Sequence, residues 1–188
     1  MKRFIPLVLL TGLSSIAASQ RRVVYNAIAE ETGFGIMFLS KPKLSRVVPK
    51  DSPFRYFQKS GSKFGNLGLY GISGQLRNAS TGDEELIEFV EKIFVRNLKI
   101  NWSKPLKKEG YTFRYEFIER DNMNGTVWLA ERRIGSNVTF WFCVYSAEDI
   151  AAIKNSEVVR KSLGVFKKQG TKWVPVKKAP VTTKKRSR

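Results

Sequence analysis

Glutamates and arginines occur together in the second half of the chain, the combination that acid–base chemistry would need. Glu116, Glu119 and Glu131 fall on adjacent predicted strands. Four arginines accompany them: Arg114, Arg120, Arg132 and Arg133. Paired carboxylates can act as a general acid and a general base. Cross-strand charge pairs on a solvent-facing sheet surface explain the same residues at less cost, so we predict no catalytic residue here.

The rest of the chain offers few groups for catalysis or metal binding. It contains no histidine, which removes the commonest general base and the commonest zinc ligand. The single cysteine, Cys143, lies among alternating aromatic residues with nothing nearby to favour the thiolate, so we expect a packed structural thiol. Four glycines recur every third residue but match no nucleotide-binding motif and predict a bulged strand instead: Gly65, Gly68, Gly71 and Gly74. The sequence therefore predicts no enzyme activity, no cofactor and no metal.

An amphipathic helix is the clearest predicted element. Apolar residues with helical spacing form one face: Leu86, Phe89, Val90, Ile93 and Phe94. Thr81 and Glu84 stand three residues apart just before this face and predict a capping box. A strand is expected at residues 54–57, and residues 22–31 could form a short helix.

An antiparallel meander and a second helix follow. The period-two pattern of Tyr111, Phe113, Tyr115 and Phe117 predicts a strand with a buried aromatic face. Strands over 126–133 and 138–145 are expected around a turn at 135–137. Ser146, with Asp149 three residues later, is predicted to cap a helix. Its apolar side would hold Ile150, Ile153 and Val158, with Val159 and Leu163 as further candidates.

The N-terminus has the pattern of an export signal. Residues 1–29 hold no acidic side chain; Lys2 and Arg3 precede a short apolar run, and small residues follow up to Ser19. These features predict a secretory signal peptide over 1–19, although a mitochondrial presequence also fits them. The apolar run is shorter than the roughly 20 residues that a membrane span needs, so we predict no integral membrane protein.

The C-terminus carries most of the excess charge. The chain has a net charge of +18; residues 167–188 hold nine basic and no acidic side chains, whereas residues 51–166 hold 17 and 14. Such a segment is expected to be disordered and to attract nucleic acid, anionic lipid or acidic polysaccharide. A solubilising tail without a partner is the alternative. The candidate polyanion-binding residues are Lys177, Lys178, Lys184, Lys185, Arg186 and Arg188.

The predicted order of elements is strand pair, helix, three-stranded meander, helix. The order predicts a single α+β domain, an antiparallel sheet with two main helices packed on it. This order of elements resembles the layered architecture of PsbP-like domains, a group of lumenal and periplasmic accessory proteins. The resemblance rests also on the helix from Asp83 and on the hairpin leading into Ser146-Ala147-Glu148-Asp149. The resemblance covers residues 54–166, between an irregular or short-helical extension over 20–53 and the basic tail. It implies a non-enzymatic assembly or binding role in an exported compartment, and no site residue.

These observations predict an exported, non-enzymatic binding or assembly-accessory protein whose basic tail contacts an anionic partner, with a protein complex as a further possible partner. One alternative is an organellar, mitochondrial protein associated with nucleic acid or ribosomes. Another is a secreted glycoprotein, because Asn124 and Asn137 begin glycosylation sequences at predicted turns. A hydrolase has the least support.

Overall fold

Strands dominate the structure, a computed structural model that describes residues 8–11, 23–47, 52–95, 100–108, 110–120 and 123–176. The two helices among these residues are α1 (Asp83–Phe94) and α2 (Ile150–Lys161). The strands are β1 (Val8–Thr11), β2 (Tyr25–Ala29), β3 (Phe34–Phe38), β4 (Lys43–Val47), β5 (Phe54–Phe64), β6 (Leu67–Leu76), β7 (Leu106–Lys108), β8 (Tyr111–Arg120), β9 (Met123–Ile134), β10 (Asn137–Ser146), β11 (Gly164–Gln169) and β12 (Lys172–Pro175).

The strands form two antiparallel sheets where we predicted one. A seven-stranded sheet has the order β4-β5-β6-β10-β9-β8-β7, and a five-stranded sheet has the order β1-β2-β3-β11-β12. In the larger sheet, tight turns at Gly65 and Gly135 join β5 to β6 and β9 to β10, and both glycines have φ of 57°. This positive φ favours glycine because other side chains are strained there. The predicted hairpin around 135–137 is confirmed.

The strands before β5 and after α2 correct both predicted ends of the domain. Residues 20–53 were expected to be irregular or a short helix, yet they contain β2, β3 and β4. The apolar segments Tyr25–Ala29 and Phe34–Phe38 pair as an antiparallel hairpin, and most of their side chains are buried. At the other end, β11 and β12 continue to Pro175, so the folded part extends past residue 166.

The remaining terminal predictions are only partly within the described residues. Val8–Thr11, inside the predicted signal peptide, forms β1 and pairs with β2. Removal of residues 1–19 stays a prediction. Residues 177–188, including every candidate cation of the tail, lie outside the described residues. Among the helices that the structure describes, neither is long and apolar enough to cross a bilayer.

Both faces of the seven-stranded sheet are buried. On one face, Trp128 and Trp141 pack with Phe34 and Phe38 of the smaller sheet and with α2. On the other face, side chains of β5, β6 and β10 pack under α1, among them Phe54, Phe57, Ile72, Phe140 and Phe142. Strand β10 contributes to both cores, which explains its nearly continuous apolar sequence.

Helix α1 has the predicted register but a different cap. Leu86 and Val90 are buried, as the helical spacing predicted. The N-cap is Gly82, with no side-chain hydrogen bond, and Thr81 Oγ1 donates to the Asn78 carbonyl oxygen at 2.8 Å. The predicted capping box is therefore wrong, because the turn before the helix uses the Thr81 hydroxyl.

Helix α2 differs from its prediction in both cap and face. Asp149 is the N-cap; its carboxylate accepts hydrogen bonds from the Ala151 and Ala152 amides, and the predicted cap Ser146 accepts from Glu148 instead. The buried face is Ala152, Ser156 and Val159, whereas three residues predicted to be buried are exposed: Ile150, Ile153 and Val158. Only Val159 of the predicted face is among the buried residues of this helix.

Strand β8 is buried differently from the prediction. Phe113 is buried, but Tyr115 and Phe117 are 51% and 49% exposed, and Arg114 on the supposedly wet face is buried. In the described part of the chain, strand β7 pairs with the first residues of β8, Tyr111–Phe113. Farther along β8, the Ser103 amide donates to the Tyr115 carbonyl oxygen and the Ser103 hydroxyl accepts from the Tyr115 amide, and Ile118 is buried under α1.

Candidate functional site

A cleft of about 1010 Å³ opens between strands of the two sheets. One wall comes from β4 and β5, the other from β11 and β12, and the floor from β6, β9 and the turn after β2. Strand β4 ends the larger sheet and β12 ends the smaller one. The size is at the upper end of the range for small-molecule sites, roughly 300–1,000 Å³, so the cleft can hold a ligand or a segment of a partner.

Buried hydroxyl groups form a hydrogen-bonded chain at the floor of the cleft. Ser73 Oγ donates to Glu31 Oε2 at 3.1 Å and lies 3.0 Å from Thr139 Oγ1. Thr139 Oγ1 in turn lies 2.7 Å from Thr32 Oγ1. Each of these three hydroxyl groups has a hydrogen-bond partner. The row of hydrogen bonds thus fixes the position of the Glu31 carboxylate and leaves none of the three hydroxyls unsatisfied.

Arg132 is a cation held at the floor by backbone oxygens. Its Nε donates to the Thr32 carbonyl oxygen at 2.8 Å, and its Nη1 donates to the Gly110 carbonyl oxygen. Partial burial lowers the pKa of Arg132, although a guanidinium keeps its charge. In the described part of the chain, no carboxylate lies within ion-pair distance of Arg132. A positioned guanidinium without a neutralising acid suits an anionic ligand.

Further cations stand at the rim of the cleft. Arg46 and Arg55 belong to one wall and Lys167 and Lys168 to the other, and all four are exposed. Lys168 Nζ lies 5.9 Å from the centre of the Trp173 ring, within cation–π range. With Arg132, five basic side chains line the cleft, against two acidic ones, Glu30 and Glu31. The lining therefore attracts anions.

Apolar and aromatic groups make up much of the remaining lining. Phe166 and Trp173 are half-buried on one wall, and Tyr56 is half-buried on the other. Burial and the Glu31 charge raise the pKa of Tyr56, so the phenol stays a neutral hydrogen-bond donor and acceptor at physiological pH. Val47 and Val165 add aliphatic surface. Such a mixture is chemically suited to a ligand with both anionic and apolar parts.

The cleft holds no set of groups arranged for covalent chemistry. Among the described residues that line it there is no cysteine, and the one serine, Ser73, donates its hydroxyl hydrogen to Glu31 from a buried position. Within the described ranges, no group of three or more cysteine, aspartate and glutamate side chains could hold a metal ion.

The glutamates that the sequence singled out are not brought together. Glu131 is buried on the face toward α1, with its Oε2 3.5 Å from Arg114 Nη1. Glu116 accepts a hydrogen bond from the Phe117 amide, and Glu119 is exposed at the far end of β8. Glu131 and Arg114 do form the predicted kind of charge pair, but they form it inside the protein and not on a wet face.

Burial changes the acidity of Glu131. Desolvation, and to a smaller extent the nearby Asp83 charge, raise the pKa of Glu131 to about 7, although Arg114 and Arg133 oppose the change. Glu131 Oε2 and Arg114 Nη1 have no hydrogen-bond partner among the described residues. This pair lies away from the cleft and is a buried charge pair of the core.

The other residues singled out have structural surroundings. Cys143 is fully buried with a strongly raised pKa, which confirms the packed thiol. Gly71 in β6 lies under the Trp141 ring, where a Cβ atom would come within 2.3 Å of it. The predicted strand is confirmed, but the register shift lies in β5, between Phe54 and Tyr56. Asn124 is exposed and donates to Glu148, and Asn137 begins β10; their glycosylation stays a prediction.

Sequence reasoning missed the cleft because its residues come from distant segments. Residues 46–58, 132–134 and 165–176 meet only because β3 pairs with β11, which places Gly35 opposite Gly164. One signal was available: Val165, Phe166, Trp173 and Val174 interrupt the lysines after residue 164. Aromatic and β-branched residues of this kind are typical of a strand and not of a disordered tail.

The fold has a weak likeness among solved structures. No protein-family model matches the chain, and no curated protein matches its sequence. The chain is similar to the solution structure of cyanobacterial PsbP from Synechocystis sp. PCC 6803, with a TM-score of 0.47 and 12% sequence identity; the match covers 81% of this chain and 98% of that one. The predicted resemblance to PsbP-like domains is thereby confirmed as a weak resemblance of fold, and we draw no functional inference from it.

Proposed function

We propose that this chain is a non-enzymatic binding protein that holds an anionic partner in the cleft and along the basic segment 177–188. Export from the cytosol belongs to the same proposal and rests on the N-terminal pattern. The observation that carries the binding role is the positioned Arg132 guanidinium, surrounded by rim cations, in a cleft of about 1010 Å³.

The position of the basic segment supports a single continuous site. Val176 lines the cleft, and Lys177 and Lys178 follow it directly in the sequence. The segment 177–188 holds six of the nine basic residues after position 166. We therefore expect the first charges of this segment to attract a partner in the cleft, because such attraction extends over about one Debye length, roughly 8–10 Å at physiological salt.

A salt titration with three forms of the protein tests this proposal. The forms are the parent, a truncation after Val176, and the rim variant Lys167→Gln with Lys168→Gln. Heparin, anionic vesicles and single-stranded oligonucleotide serve as general anionic probes. We expect both changed forms to bind more weakly and with a shallower salt dependence, because each lost contact to nucleic acid lowers the log–log slope by about 0.7–0.9.

A matched variant separates site binding from general charge. Lys92→Gln with Lys154→Gln removes the same charge from exposed positions on α1 and α2 that do not line the cleft. We expect this variant to bind like the parent, with an unchanged Tm in all forms. Equal losses in the rim variant and in this control would contradict a site in the cleft.

A further inference from the structure

Two strands that line the cleft each end a sheet, which suits an extended polypeptide. Among the described residues, β4 pairs only with β5, and β12 pairs only with β11. Each of these strands therefore has an edge whose backbone N–H and C=O groups are not engaged in a ladder. An extended peptide can add to such an edge through main-chain hydrogen bonds, while its alternate side chains enter neighbouring pockets.

The charges on these edge strands determine whether an acidic or a basic peptide is favoured. Strand β4 carries Lys43 and Arg46, and β12 begins with the exposed Lys172. Basic edge residues repel another basic strand, including a second copy of this chain or its own segment 177–188. They favour a strand that carries carboxylates. Arg132 adds a planar donor group that suits a carboxylate.

The apolar lining indicates what the other side chains of the peptide are. Phe166 and Trp173 stand on one wall with Val165. Val47 lines the cleft at the end of β4, and its side chain packs toward the core under α1. Successive side chains of a strand point to opposite sides. A peptide with acidic residues at every second position could thus place carboxylates at the cations and apolar side chains against these walls.

The acidic groups in the cleft disfavour nucleic acid. Glu30 and Glu31 line the cleft, and Ser73 fixes the Glu31 carboxylate. A nucleic-acid strand carries a phosphate at every nucleotide and would place charge against these carboxylates. A peptide carries its charges only at chosen positions, so its apolar residues can lie beside them.

We infer that the cleft binds an acidic, extended segment of a partner protein in which acidic and apolar residues alternate, an inference that rests on the proposed function. Binding occurs by strand addition at the edge of β4 or β12. The cations at the rim and Arg132 bind the carboxylates of the segment, and the aromatic wall takes its apolar side chains.

Synthetic peptides test the inference on the full chain. The probe is a fluorescent ten-residue peptide of alternating Glu and Val. The comparison peptides are alternating Lys and Val, ten glutamates, and the Glu–Val peptide with every second backbone nitrogen methylated. We expect the Glu–Val peptide to bind and each comparison peptide to bind at least about tenfold more weakly. The Lys–Val peptide loses the charge-assisted hydrogen bonds, the ten-glutamate peptide loses the apolar contacts, and the methylated peptide loses the main-chain hydrogen bonds.

Protein variants locate the binding. The rim variant Lys167→Gln with Lys168→Gln should bind the Glu–Val peptide at least about tenfold more weakly than the parent does. The control Lys92→Gln with Lys154→Gln should bind it as the parent does. Both pairs are exposed, so the folded state is retained in each. Trp173→Leu should reduce the affinity for the Glu–Val peptide more than the affinity for the ten-glutamate peptide.

The outcomes separate this inference from the proposed function. Cleft-dependent binding of heparin or oligonucleotide with no binding of the Glu–Val peptide would overturn the peptide partner and leave an anion-binding cleft. Equal binding of the methylated and unmethylated peptides would overturn strand addition. If no anionic probe depends on the rim lysines, the proposed function itself fails.

Discussion

Helices α1 and α2 have twelve residues each, but they pack on opposite faces of the seven-stranded sheet through different kinds of side chain. Helix α1 buries the large aliphatic residues Leu86 and Val90, and its Phe89 ring lies 5.3 Å from that of Phe54. Helix α2 buries Ala152 and Ser156 with Val159 and exposes two isoleucines.

The difference follows from what each helix covers. Beneath α2, Trp128 Nε1 donates to Ser156 Oγ at 3.0 Å, and Cys143 Sγ lies 3.9 Å from the same oxygen. A small hydroxyl residue lets the helix approach closely and supplies the acceptor that a buried indole needs. Beneath α1 the sheet offers aromatic side chains, so large aliphatic residues fill the space. Size of the apolar residue therefore does not by itself decide which helix face is buried.

The two helices should differ most in the loss of stability caused by truncating one large residue in each. Leu86 is fully buried, whereas Ile150 is 68% exposed. Leu86→Ala should lower the free energy of unfolding by about 2–5 kcal/mol, the cost of a cavity in the core. Ile150→Ala should change it by less than about 0.5 kcal/mol. Urea unfolding measures both, and similar losses would mean that α2 packs by its isoleucine face.

The two helices also mark how far the sequence could predict the fold. Large apolar residues at helical spacing identified α1 and its buried face. The same rule failed for α2, since Ala152 and Ser156 give no hydrophobic signal and the isoleucines give a false one. Strands β2 and β3 were missed because a five-residue strand shows too little periodicity to be told from a helix turn. The cleft was beyond prediction, because it depends on the pairing of β3 with β11.

A buried acid near α1 should make stability depend on pH, whereas the neutral groups under α2 should not. Burial raises the pKa of Glu131 to about 7 from an ordinary 4.5, despite Arg114 and Arg133, and Asp83 at the start of α1 adds to the rise. Between these values the native state keeps a proton that the unfolded state has lost. The free energy of unfolding should thus fall as pH rises from about 4.5 to about 7, by at most about 3–4 kcal/mol, and then level off.

Chemical denaturation across this pH range measures the effect. Glu131→Gln should abolish this part of the slope, whatever its effect on stability at a single pH. Glu119→Gln, which changes an exposed carboxylate on the neighbouring strand, should keep the slope. The raised pKa would be contradicted by parent and Glu131→Gln curves that run parallel between pH 4.5 and 7.

The hydroxyl under α2 gives the next effect. Ser156→Ala should cost about 1–3 kcal/mol, because Trp128 Nε1 would lose its acceptor in a buried site. Trp128→Phe removes the donor, so Ser156→Ala should cost less in that background. A double-mutant cycle by urea unfolding measures the difference, and additive losses would show that the two groups do not stabilise each other.

The smallest effects concern the two N-caps. Asp149 accepts hydrogen bonds from the Ala151 and Ala152 amides at 2.8 and 3.1 Å, and these bonds lower its pKa, the one from Ala152 most. Asp149→Ala should lower the Tm by about 2–4 °C at neutral pH, and the loss should shrink in acid as the parent carboxylate is protonated.

Gly82 caps α1 with no side chain, at φ −70° and ψ 156°, and a Cβ there would meet no atom within 4 Å. Gly82→Ser should therefore raise the Tm by about 1 °C, because a serine hydroxyl can accept from the free amides of the first turn. Calorimetry of both variants measures the two shifts, and a lowered Tm for Gly82→Ser would contradict an open cap on α1.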